Sequence, residues 1–241
     1  MNNDRKNLIS ARDIGRTYNL GEVEVKALVG LDLNVKEGDF LVILGPSGSG
    51  KTTLLNILGG IDTPSVGEVI VEGNDIGTYD EKKLSEYRRN TVGWIFQFFN
   101  LIPSLTAVEN VGLALEMAND RKNIMERSQE ALELVGIPEK SHMFPSQLSG
   151  GEQQRVAIAR SLVKKPKIVL ADEPTGNLDW ATGMKIGKLM KELNRRENIT
   201  FVVVSHDISI TEIADRVIHL MDGEISREKS IEPVSKKVIE Q

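Results

Sequence analysis

The chain has 241 residues, 40% hydrophobic and 27% charged, proportions typical of a globular protein with a sizeable core. It contains no cysteine, which excludes a disulfide framework and any cysteine-bound metal. The formal net charge of -5 argues against broad attraction to nucleic acid or anionic lipid, so no nucleic-acid partner is expected. "MNNDRKNLIS" lacks the apolar centre of a secretion signal, and no apolar run approaches the ~18–20 residues that span a bilayer. Any work at a membrane is therefore expected to rely on another chain for the spanning part.

Taken in order, "NLISARDIGRTY", "VEVKALVG" and "LDLNVKEGD" alternate apolar and polar residues, which predicts half-buried antiparallel strands. "FLVIL" reads as a fully buried strand running straight into the glycine-rich "GPSGSGKTT". "TLLNILGG" continues as a helix stopped by Gly59 and Gly60. Further buried strands are expected in "GEVIV", "TVGWIF", "KIVLAD", "TFVVVSH" and "RVIHLM". Between Asn100 and Pro145 the pattern turns helical. Thr106 and Glu109 have capping-box spacing ahead of "AVENVGLALEMA", and "IMERSQEALELVG" closes at Gly136 and Pro138. Strands alternating with helices predict an α/β fold whose mostly parallel sheet is covered on both faces. The expected division is a core of residues 1–97 and 147–226 with an N-terminal antiparallel β subdomain, a helical insertion at 98–146, and a polar tail at 227–241.

Gly45, Pro46, Ser47, Gly48, Ser49, Gly50, Lys51 and Thr52 fit G-x-x-x-x-G-K-[ST] in full, between a strand and a helix, with Thr53 following. Bare glycine backbone lets amide N–H groups wrap a phosphate, and the helix start adds favourable potential. Lys51 brings a compact positive charge, and the Thr52 hydroxyl is a hard oxygen donor suited to Mg²⁺. Asp172 and Glu173 end a buried run. Alone, such a pair is more often a solvated strand end. Beside a phosphate loop it faces the ligand, because parallel sheets bind at the carboxyl ends of their strands. Asp172 is then the magnesium partner, and Glu173 is placed to orient or deprotonate an attacking water. His206, after "TFVVVS", and Gln97, after "VGWIF", share the same edge. The first suits a γ-phosphate contact and the second a contact to magnesium or water. Tyr18 is a weaker candidate. Lys164, Lys165 and Lys167 read as a solvated turn before a strand, and Phe96, Phe98 and Phe99 as core or partner-facing surface.

"LSGGEQQRVAIARSL" poses a separate problem. Ser149 and Glu152 have capping-box spacing, yet Gly150 and Gly151 occupy the first turn, where glycine costs a helix interior up to ~1 kcal/mol each. A good helix start stripped of side chains implies that something approaches its backbone.

With "GPSGSGKTT", the glutamine of "FQFFN", "LSGGEQQ", "LADE", "GNLD" and "SHD" in this order, the chain resembles an ATP-binding-cassette ATPase subunit from about Leu8 to Ser226. The resemblance implies a P-loop NTPase core that binds ATP and Mg²⁺ and hydrolyses ATP. It implies Tyr18 stacking on adenine, Gln97 sensing magnesium and the attacking water, Glu173 as catalytic base, His206 holding the γ-phosphate, and Asp179 in a loop crossing between subunits. It also implies a head-to-tail homodimer in which Ser149, Gly150, Gly151 and Glu152 of one copy complete the other copy's site. A separately encoded membrane permease would be the further partner, holding the chain at the cytoplasmic face of the membrane. "LGGIDTPSVGEV" and "FQFFNLIPSLTAVENV" look like the lipoprotein-release and macrolide-efflux group. A cell-division-type regulatory scaffold uses the same ATPase core. Departures from the family pattern are Thr52 in place of serine, Trp180 after Asp179, and the apolar Met143 and Phe144 ahead of the signature.

Overall fold

The computed structural model describes residues 5–21 and 23–231. The chain begins with a long hairpin, β1 (Asn7–Leu20) and β2 (Val23–Lys36), whose register shifts at several bulges. β2 runs through "VEVKALVG" and on into "LDLNVK", so the two expected strands are one. β3 (Phe40–Leu44) is buried at every position and leads to α1 (Lys51–Leu58). β4 (Val66–Val71) pairs antiparallel with β1 and with the short β5 (Asn74–Asp75). The first sheet therefore has the order β2-β1-β4-β5. "GEVIV" was expected among the fully buried strands, but its exposed start and alternating end suit a sheet with one wet face.

After α2 (Glu81–Asn90), β6 (Val92–Ile95) ends the first half of the chain. α3 (Ala107–Met117), α4 (Ile124–Leu134) and α5 (Gly150–Leu162) then pack on one another before β7 (Ile168–Asp172), α6 (Trp180–Glu197) and β8 (Thr200–Ser205). β9 (Arg216–Met221) and β10 (Glu224–Ser230) close the described chain. The second sheet has the order β10-β9-β3-β8-β7-β6. β9, β3, β8, β7 and β6 are parallel, while β10 lies antiparallel on the edge. This is the expected α/β architecture with a mostly parallel sheet and an antiparallel companion. One detail differs: Arg227–Ser230 falls in the expected polar tail, yet it forms most of β10. Its side chains are mostly exposed, so nothing in its hydropathy marks a strand that β9 holds by backbone pairing. Lys236 and Lys237 lie outside the described residues.

The pleat of the parallel sheet divides the core in two. Phe40, Val42, Val169, Phe201 and Val203 point to one side, against residues of α3, α4, α5 and α6. Leu41, Ile43, Leu170, Val202 and Val204 point to the other, against α1 and the antiparallel sheet. Strands covered on both faces must be apolar throughout, which is why these segments read as continuous hydrophobic runs. α1 is thus held between two sheets, and its C-terminal end is tied down by Tyr87 of α2, whose hydroxyl donates to the Leu58 carbonyl at 2.7 Å.

Candidate nucleotide site

The parallel strands end nearly level. Leu44 of β3 pairs with Ser205 of β8, Asp172 of β7 with Val204, and Ile95 of β6 with Ala171. The phosphate loop, His206, the Asp172–Glu173 pair and Gln97 therefore emerge along one edge. They meet at an open cleft of about 720 Å³, lined by Ser47, Gly48, Gly50, Lys51, Thr52, Thr53, Gln97, Asp172, Glu173 and His206. Val25, Lys26 and Ala27 of β2 complete its wall. Sequence reasoning missed these three, because an alternating strand carries no local sign that its edge will fold over a loop well beyond its own turn.

The loop is shaped for an anion. Gly50 caps α1 at φ 98° and offers no side-chain hydrogen bond to the first turn, so those amides depend on an acceptor from outside. A Cβ at Gly50 would lie 2.4 Å from the Ala27 carbonyl oxygen, so both the left-handed backbone and the close approach of β2 require glycine. Lys51 is 7% exposed, and its Nζ donates to the carbonyls of Gly45 and Pro46 at 2.8 Å each. Ser49 is buried under the loop, and Gly45, Pro46 and Ser49 shape the turn without lining the cleft.

Thr52 Oγ1 donates to Asp172 Oδ2 at 3.3 Å, placing two hard oxygens side by side below the loop. Burial raises the pKa of Asp172 and the Glu173 carboxylate adds to this, against the Thr52 hydrogen bond and the charge of Lys51. Glu173 has a left-handed backbone, φ 49°, and its N–H donates to the Val204 carbonyl at 3.0 Å. Non-glycine residues rarely adopt this conformation, and such strain concentrates at functional positions. His206 Nδ1 lies 2.5 Å from Glu173 Oε2, with the imidazole largely exposed and the carboxylate mostly covered. Gln97 is fixed through its carbonyl, which accepts from Asn177 Nδ2 at 2.8 Å.

Other sequence candidates lie elsewhere. Tyr18 is not part of the cleft lining. Its hydroxyl donates to Asp62 Oδ2 at 2.7 Å, and Arg16 covers its ring at 4.7 Å. Its cross-strand partner Val25 does line the cleft. Ser149 caps α5 in the expected box: its Oγ accepts from the Glu152 N–H at 3.4 Å, while Glu152 Oε2 accepts from the Ser149 N–H at 2.9 Å. Asp179 caps α6 by accepting from the Thr182 N–H at 3.0 Å. None of Ser149, Gly150, Gly151, Glu152 and Asp179 lines the cleft of its own chain. The two glycines also have an intrachain role: a Cβ at Gly151 would lie 2.8 Å from the Thr182 methyl, and one at Gly150 3.2 Å from Leu178 Cδ2. Lys164 is half-buried and donates to the Arg88 carbonyl at 2.8 Å, so it is not the solvated turn residue expected.

Comparison with known proteins agrees with this geometry. Residues 28–176 match the family described as ABC transporter. The chain belongs to the ABC transporter family. The ABC transporter ATP-binding protein MJ0796 of Methanocaldococcus jannaschii is 47% identical, over 93% of this chain and 97% of that protein. The lipoprotein-releasing system ATP-binding protein LolD of Syntrophus aciditrophicus is also 47% identical, over 90% of this chain and 98% of that one. A solved dimeric, post-hydrolysis structure of MJ0796 bound to ADP and Pi superposes with a TM-score of 0.83 at 44% identity, covering 92% and 98% of the two chains. The protein is accordingly an ABC ATPase: it binds ATP and hydrolyses it. No helix among the described residues is long and apolar enough to cross a membrane.

Proposed function

We propose that this ABC ATPase works as a head-to-tail homodimer that drives a separate membrane permease from the cytoplasmic face of the membrane. The observation that carries the reading is the division of parts. One chain holds a phosphate cleft with a base, yet its second glycine-lined helix start, Ser149–Glu152, lies outside that cleft. In a dimer, Ser149, Gly150, Gly151 and Glu152 of each copy meet the γ-phosphate held by the other, with Asp179 at the crossing point. The dimeric structure of MJ0796 supports a dimer by similarity.

Within each site, Lys51 shifts from the Gly45 and Pro46 carbonyls to the β- and γ-phosphates. Ser47, Gly48, Ser49, Gly50 and Thr53 present backbone amides, and the adenine lies along β2 beside Val25 and Tyr18. Thr52 and Asp172, with Gln97, are the oxygen donors that would hold Mg²⁺, which offsets phosphate charge when bound. Glu173 accepts the proton as water attacks the γ-phosphorus in line and the bond to the bridging β,γ-oxygen breaks, giving ADP and phosphate. His206 holds the γ-phosphate and steadies the Glu173 carboxylate. The contribution to rate comes mainly from positioning and preorganised charge.

Contact with the permease is made beside Gln97, at a groove of about 570 Å³ lined by Ile61, Trp94, Phe96, Leu113 and Met117. Similarity to LolD supports lipoprotein release as the work done, with export or mechanical transmission as the other forms it takes in our reading. Glu173→Gln tests the core of the reading. We expect hydrolysis to fall by roughly 10²–10⁴-fold and an ATP-dependent dimer to accumulate on gel filtration. Hydrolysis at the wild-type rate would remove Glu173 as base, and a strictly monomeric profile at high protein and ATP would remove the dimer. Purification from detergent-solubilised native membranes should recover an integral membrane chain.

A further inference from the structure

α5 does more than present the signature residues. Gln154, one turn from Gly150, is fully buried, and its Nε2 donates to the Pro174 carbonyl at 2.6 Å. Pro174 directly follows Glu173, so this bond holds the left-handed turn that carries the base. Gln154 Oε1 has no hydrogen-bond partner among the described residues. A methionine would fill the same space without stranding a buried oxygen, so the amide is explained by what its N–H holds.

Further along the same helix, the guanidinium of Arg160 donates to the Asn100 carbonyl at 2.5 Å and the Phe99 carbonyl at 2.6 Å. Phe99 and Asn100 are consecutive left-handed residues, φ 61° and 49°. For phenylalanine this is an outlier that persists only where the surroundings enforce it. The turn lies two residues after Gln97, so its shape fixes where that glutamine enters the cleft. An α-helix with its i to i−4 ladder intact moves as a unit.

We propose that Gln154 and Arg160 are positioning residues through which α5 couples the two ATP sites of the dimer, tying the Glu173 and Gln97 loops of its own site to the signature turn it presents to the partner's nucleotide. A small shift of Ser149–Glu152 on that nucleotide is passed along α5 to both loops. Each site thereby reaches hydrolytic geometry only when the other is filled. This inference rests on the head-to-tail reading above.

The test uses full-length Gln154→Met, which keeps volume and removes the donor, and Arg160→Lys, which keeps charge and removes the two-pronged grip. We expect both to melt as cooperatively as wild type, to keep its KM for ATP, and to form the ATP-dependent dimer when combined with Glu173→Gln. Their kcat should fall about tenfold, the effect of a barrier raised by about 1.4 kcal/mol when the two loops lose their alignment. The Hill coefficient for ATP should fall toward 1. A purely structural role would change stability and leave the Hill coefficient in place. If one variant fails to fold, the other carries the same comparison. Wild-type kcat and Hill coefficient in a folded variant would overturn the inference. Absence of an ATP-dependent dimer in Glu173→Gln alone would overturn the dimer reading instead, and neither positioning variant enters that measurement.

Discussion

Gly151→Ala separates the two reasons for the bare helix start. The added Cβ lies 2.8 Å from the Thr182 methyl of α6, inside normal contact distance, so one of the two must move. Overpacking of this kind costs about 1–3 kcal/mol. Alanine recovers up to ~1 kcal/mol of helix propensity at the same position. The net change is therefore a loss of about 0–3 kcal/mol, or a fall of at most roughly 12 °C in Tm for a chain this long. The effect on hydrolysis should be much larger. If the first-turn backbone receives the partner's γ-phosphate, a methyl there displaces a charge-stabilising contact, and kcat should drop by roughly 10²-fold or more. The assay is steady-state phosphate release at saturating ATP and high protein, beside a thermal melt without nucleotide. The double variant Gly151→Ala with Thr182→Ser removes the methyl that the new Cβ would strike and retains the N–H that Asp179 accepts. We expect it to recover stability but not activity. Full recovery of hydrolysis would show that Gly151 serves only the α5–α6 contact, and the phosphate argument would fail.

Two further predictions concern the frame around the cleft. Burial lowers the pKa of Lys164 from 10.5 to about 8. A lysine lowered in the folded state costs stability while charged, in full below pH 8, and the cost fades as pH rises toward 10.5. Lys164→Met should therefore melt higher than wild type at pH 7, with the gap closing by pH 10.5; a gap independent of pH would refute the argument. Tyr87→Phe removes the hydroxyl that donates to the Leu58 carbonyl, leaving a buried acceptor at the end of α1. The expected loss is about 1–2 kcal/mol, or ~2–8 °C in Tm, and an unchanged melt would show that water replaces the bond.

The sequence alone determined the features whose causes are local. A phosphate loop is written in eight adjacent positions, Gly45 to Thr52, because the chemistry it performs is done by consecutive amides and the side chains beside them. The capping boxes at Thr106 and Ser149 were legible for the same reason: donor and acceptor are three residues apart and need no tertiary contact. Strand ends carrying Gln97, Asp172 and His206 were readable once a parallel sheet was inferred, since only that topology brings such ends to one edge. What the tertiary structure decided depends on pairings between distant segments. Hydropathy could not assign "GEVIV" to the antiparallel sheet or make a strand of Arg227–Ser230, because backbone bonds from β1 and β9 hold them. The same holds for β2 at the cleft wall, the contacts of Tyr18 with Asp62 and Arg16, and the grip of Gln154 and Arg160 on the loops after β7 and β6. Those last two side chains look like ordinary polar positions of an amphipathic helix. Only packing α5 against the loops after β6 and β7 gives their donors something to hold.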